Sequence, residues 1–162
     1  SGSILSGNDN ASATPEVLVA LRGLAVKLGA ADITEIEWIT TVADKSAGFT
    51  LSARLRFNEA VDVVTTGGTP TLAVTNGNQG SGTGRGPHAL AYTSGTGTNE
   101  LVFSLAIPAA NAATNEDDVL VFGANPLALN SGTIKDAGTT TNATITSVAG
   151  IGTAAGTITV VA

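Results

Sequence analysis

His88 is the only histidine of the chain, and there is no cysteine and no methionine. One imidazole and no thiol exclude thiolate nucleophiles, disulfides, cysteine-bound zinc and multi-histidine metal centres. A lone histidine can still activate a serine. No serine here sits in a G-x-S-x-G elbow or a similar frame that would expose its hydroxyl beside a base. Paired carboxylates could cleave a glycoside, but nothing sets them in an aromatic-walled cleft, and the chain holds only one Trp and one Tyr for sugar stacking. The expectation is that the protein is not an enzyme.

Two clusters carry weaker signals. Glu116-Asp117-Asp118, preceded by Asn115, is the acidic run of the chain. Hard carboxylate oxygens suit calcium, so Asp117 and Asp118 are the candidate metal ligands, although the alternating acids and closing glutamate of an EF-hand loop are missing. The plainer reading is a solvated loop ahead of a strand, and no other cofactor is expected. Gly82-Thr83-Gly84-Arg85-Gly86 contains a G-x-G spacing. A dinucleotide loop must open a helix, whereas Pro87-His88 and an extended segment follow here. The stretch reads as a long hairpin loop, whose Arg85 and His88 are placed to touch a neighbouring subunit.

The partners are narrowed by charge. The 162 residues carry a net charge of −6. With an isoelectric point near 4.5, the chain lacks the basic footprint that nucleic acid or an anionic membrane requires. Mean hydropathy is +0.29 and no run approaches a membrane span. The first residues, Ser1-Gly2-Ser3-Ile4-Leu5, show no basic region followed by an apolar one. Either a signal was already removed or there never was one. A small residue at position 1 fits removal of an initiator methionine, an option that would leave an intact, cytoplasmically made chain.

These residues must be positioned by elements that periodicity reveals. Ser1–Ala13 is small and polar and reads as an extended arm. Thr14-Pro15-Glu16 is a helix-start signal, and Val17, Leu18, Leu21, Leu24, Ala25 and Leu28 follow at helical spacing. The competing reading is a hairpin turned at Arg22-Gly23. From Asp32 the period becomes two. In Phe49–Phe57 the apolar set Phe49, Leu51, Ala53, Leu55 and Phe57 alternates with Thr50, Ser52, Arg54 and Arg56, which is a strand with one wet face. Glu35 and Glu37 share one face of their strand and Ile36 and Trp38 the other. Short strand candidates then recur between glycine-, asparagine- and threonine-rich turns as far as Thr157–Val161. This is the pattern of an all-β sandwich. The organisation expected is an arm and short helix over 1–31, a β-sandwich over 32–147 and a C-terminal β extension over 148–162.

Four stretches carry a family resemblance. Phe57-Asn58-Glu59-Ala60-Val61, Thr69-Pro70-Thr71-Leu72, Ala91–Phe103 and Leu127–Gly138 occur in that order. They resemble the F-[ST]-E-x-V, T-P-x-L, A-x-Y-x-S-G-x-G-T-x-x-L-x-F and L-x-L-N-G-G-x-I-x-D-x-A-G-N pieces of bacterial immunoglobulin-like repeats in large surface adhesins. Thr139 replaces the asparagine that closes the family pattern. The resemblance implies an immunoglobulin-like antiparallel sandwich with a structural or binding role. A lone module of this kind resembles the accessory proteins of bacteriophage virions, either capsid decoration or tail surface. Its partners would then be copies of itself or a viral lattice, with a cell-surface glycan or receptor as a further partner. The alternative is a module of a bacterial extracellular adhesin, rigidified by calcium. On the virion reading, the contacts come from the ends. Ile4 and Leu5 form an apolar pair in a polar arm, and Ile158 and Val160 lie in a strand suited to exchange.

Overall fold

The computed structural model describes residues 3–5, 16–19, 29–78, 85–111 and 113–162. Eleven strands and one short helix are formed among them. β1 (Ser3–Leu5) and β2 (Glu16–Val19) pair antiparallel in a two-stranded sheet of their own. The others are β3 (Ile33–Trp38), β4 (Ala43–Asp44), β5 (Phe49–Val64), β6 (Thr71–Asn78), β7 (Arg85–Ser94), β8 (Thr98–Ile107), β9 (Asp118–Ala128), β10 (Thr133–Asp136), α1 (Ile151–Ala154) and β11 (Thr157–Val161).

The protein is all-β, as its period-two patterning requires. Strand pairing runs unbroken in the order β10-β5-β8-β7-β6-β9-β11-β4, with β3 also paired to β5. The result is one curled mixed sheet, antiparallel except where β11 meets β4. β5 is its spine. Leu51, Ala53, Leu55 and Phe57 are buried, while Ser52, Arg54 and Arg56 are half-buried on the opposite face. Beyond Val61, β5 leaves β8 and keeps β10 as its partner.

The curl is closed between β3 and β9, which are not paired. Trp38 stacks on Phe122 with ring centroids 4.2 Å apart, and its indole N–H donates to the Gly156 carbonyl at 3.2 Å. α1 lies against the same place. A Cβ on Gly152 would collide with the carbonyl oxygen of Phe122, so glycine is what lets this turn of helix sit directly on β9. Beside it the register of β9 on β6 shifts, and Pro126 falls in the shifted stretch, where a missing N–H costs no ladder bond.

Two expectations are corrected. The helix expected from Thr14 is a strand over Glu16–Val19, with Thr14, Pro15 and residues 20–28 outside the described residues. Val17, Leu18 and Val19 suit a strand as well as a helix, and pairing with β1 decides between them. Among the described residues, the one helix lies instead at Ile151–Ala154. The C-terminal segment is no appendage: β11 is inserted between β9 and β4 and contributes buried Ile158 and Val160 to the common core.

Candidate functional site

Among the described residues, the buried polar side chains Asn76, His88, Thr114 and Asp118 gather at one end of the sheet, apart from Asp136 on β10. β6 lies between β7 and β9, and each of the three presents one polar residue inward. These are Asn76 from β6, His88 from β7 and Asp118 from β9, all at least nine-tenths buried. The pairing fixes their closeness. His88 is opposite Val74, two residues before Asn76, and Asp118 is opposite Asn78, two residues after it. Residues two apart on a strand share a face, so the three side chains converge.

The segment after β8 folds over them. Three consecutive loop residues are each held by one of the three side chains. Asn76 Nδ2 donates to the Ala113 carbonyl at 2.6 Å. His88 Nε2 and the Thr114 hydroxyl are hydrogen-bonded at 2.8 Å. Asp118 Oδ2 accepts the Asn115 N–H at 2.7 Å. Thr114 is fully buried in consequence. Burial pushes the His88 imidazole below its ordinary pKa of 6.5, and the Asp118 charge partly offsets this. Two oxygens in the cluster, Asn76 Oδ1 and Asp118 Oδ1, are buried without a hydrogen-bond partner.

This geometry revises the sequence-derived residues. His88 is on a strand and committed to Thr114, so it does not offer itself to a neighbouring subunit. Arg85 opens β7 with its backbone opposite Asn76, and its side chain lies outside the described part. Asp118 turns inward, whereas Asp117 is exposed at a positive φ of 63° and gives its N–H to the Val160 carbonyl, so the two acids do not form one site. Among the described residues no group of three or more His, Cys, Asp or Glu is placed to hold a metal. Ile4 and Leu5 pair through their backbone with β2, and their side chains lie outside the described part. Ile158 and Val160 are core. Asn76 was missed because an asparagine near glycines reads as a turn. Its place between buried Val74 and the strand end was the available signal.

The remaining polar arrangements hold the fold together. Arg54 bridges Glu37 at 3.1 Å and Glu100 at 3.4 Å, and Arg56 bridges Glu35 at 2.6 Å and Glu100 at 2.8 Å. This ladder crosses the wet face of β3, β5 and β8. The motif residues act in the same way. Asp136 Oδ1 accepts the Ala31 N–H, Asp62 Oδ2 accepts the Gly138 N–H, and Asn130 Nδ2 reaches the Thr69 carbonyl and the Thr71 hydroxyl. Asn130 and Ser131 both take positive φ in the turn between β9 and β10. Tyr92 and Phe103 are cross-strand partners packed edge to face, and the Tyr92 hydroxyl accepts the Thr96 N–H. Two shallow clefts of about 180 and 210 Å³ flank α1, the first lined by Glu35, Ile36, Val148 and Ile151 among others, the second mainly by the glycines and small residues beside Phe122. No helix among the described residues is long and apolar enough to cross a membrane. Compared with protein-family models, with curated proteins and with solved structures, the chain matches none.

Proposed function

We propose that the protein is a non-enzymatic structural module that assembles with copies of itself or docks on a lattice, as a capsid-decoration or tail-surface protein of a bacteriophage virion does. One observation carries this reading. The β1–β2 hairpin forms its own two-stranded sheet and takes no place in the nine-stranded sheet. A two-stranded hairpin is marginal in water and gains stability by joining further strands. Its sequence, Ser3-Ile4-Leu5 against Glu16-Val17-Leu18-Val19, is apolar enough to reward that. Strand addition to a neighbour's sheet edge supplies the partner, with backbone hydrogen bonds for affinity and the aliphatic side chains for burial. The negative net charge and the scarcity of aromatic side chains fit a surface that binds by shape and backbone rather than by a ligand pocket.

The test compares the full chain with a variant lacking residues 1–28 by light scattering after gel filtration, and by co-sedimentation with virus particles of the source. The truncated chain is expected to keep its cooperative melt and to lose oligomers or particle binding. Equal assembly by both proteins would overturn the reading. The four motif stretches favour a second reading, a module of a bacterial extracellular adhesin. On that reading the full chain stays monomeric at all concentrations and ignores virus particles.

A further inference from the structure

We propose that the polar end of the sheet is a cation site, in which Asn76 Oδ1 and Asp118 Oδ1 are two ligands of a hard ion such as calcium. A folded protein rarely leaves buried polar atoms unpaired, because each forfeits its hydration without replacement. Here two such atoms occur on neighbouring strands, on the same face and in diagonal register. Both are oxygens and both are acceptors, so neither can satisfy the other. Either a water donating to each oxygen or a cation between them satisfies both, and only the cation site responds to calcium.

The orientation of each side chain is already fixed. Turning the Asn76 amide over would lose its bond to the Ala113 carbonyl, and Asp118 Oδ2 is held by the Asn115 N–H. The two free oxygens are therefore presented by groups anchored at their other ends, as preorganised ligands are. The donor set is a carboxylate and an amide oxygen, beneath a loop whose backbone carbonyls are the natural source of further ligands. Hard oxygens without sulfur select calcium over softer metals, and His88 Nε2 is already engaged by Thr114. Both residues lie outside the four stretches that resemble adhesin repeats. Asp117, the acid adjacent in sequence, takes no part, because it is exposed.

One carboxylate gives a weak site, so binding is expected in the roughly 10⁻⁴–10⁻³ M range. The experiment is isothermal titration of calcium chloride into the chelator-treated full chain, with melting curves at matched ionic strength. The native protein should bind one calcium and melt higher with calcium than with chelator, as any ligand of the folded state requires. Asn76→Asp adds a second carboxylate but loses the Nδ2 donor to the Ala113 carbonyl. Without calcium it should therefore melt lower than the native chain, and it should gain more on adding calcium. Asp118→Asn should abolish the calcium response. If Asp118→Asn fails to fold, Asn76→Asp decides alone. Identical melts with calcium and chelator in both the native chain and Asn76→Asp would overturn the proposal. So would calcium stabilisation that survives intact in folded Asp118→Asn, because the ion would then sit elsewhere.

Discussion

At the scale of single residues, the same side-chain type has opposite duties according to what surrounds it. Arg56 lies on a wet face among three glutamates, and its hydrogen bonds to Glu100 hold its guanidinium more firmly protonated. His88 is enclosed, and enclosure disfavours its charge. Its folded-state pKa is below its unfolded value, so its contribution to stability is complete above pH 6.5 and fades as the pH falls below that value. His88→Ala should cost roughly 1–3 kcal/mol at neutral pH, because the Thr114 hydroxyl is left buried and unpaired. The melting-temperature gap between native protein and His88→Ala should narrow as the pH falls below 6.5, and a constant gap would show that the imidazole does not titrate across folding. Phe57 is the apolar counterpart. It is 1% exposed, and Phe57→Ala should cost roughly 3–5 kcal/mol in denaturant unfolding. Sequence alone placed Phe57 well and His88 badly. The alternation around Phe57 is local, whereas the burial of His88 comes from a loop some 25 residues later in the chain.

At the scale of elements, legibility follows how one-sided each element is. β5 was readable because one face is dry and the other wet, which forces period two on its residues. The stretch from Val17 was ambiguous because consecutive aliphatics satisfy either period, and the partner strand lies in a polar arm without a pattern of its own. α1 was invisible. Four residues, Ile-Gly-Thr-Ala, hold no periodicity, and a left-handed Gly150 rather than a capping side chain starts the turn. What places α1 is a close approach to β9, and glycine permits it. Gly152→Ala should therefore destabilise by about 1–3 kcal/mol, since the methyl group meets the backbone of Phe122 and Gly123, which cannot move aside. Gly123→Ala makes the control. Its new Cβ would be 3.9 Å from the nearest atom, the Thr75 hydroxyl, and its effect should stay within about 0.5 kcal/mol. Equal losses in thermal melts of the two variants would mean that the close approach to Phe122 is not what requires glycine at position 152.

For the whole molecule, the two ends of the chain differ in kind, although the sequence offers an aliphatic pair at each, Ile4 with Leu5 and Ile158 with Val160. The N-terminal hairpin is bonded to itself and stands outside the nine-stranded order. The C-terminal strand is interior to that order. β11 is antiparallel to β9 and parallel to β4, and the Lys45 N–H and the Asp117 N–H both donate to its carbonyls. Ile158 is 7% exposed and Val160 fully buried. Burying those two side chains contributes about 1.5–3 kcal/mol each. Their sum, about 3–6 kcal/mol, reaches the lower end of the roughly 5–15 kcal/mol that separates a folded domain of ordinary stability from its unfolded chain. Removing residues 157–162 would also strip β4 of its strand partner and leave β9 with an open edge. The C-terminal truncation should therefore give a chain that melts without a cooperative transition or aggregates on expression. Removal of residues 1–28 should leave the melting temperature within a few degrees of native. Circular dichroism melts of the two truncations side by side decide the matter. A cooperative, near-native melt without residues 157–162 would mean that the last strand is an exchangeable appendage after all, and assembly could then proceed from that end of the molecule.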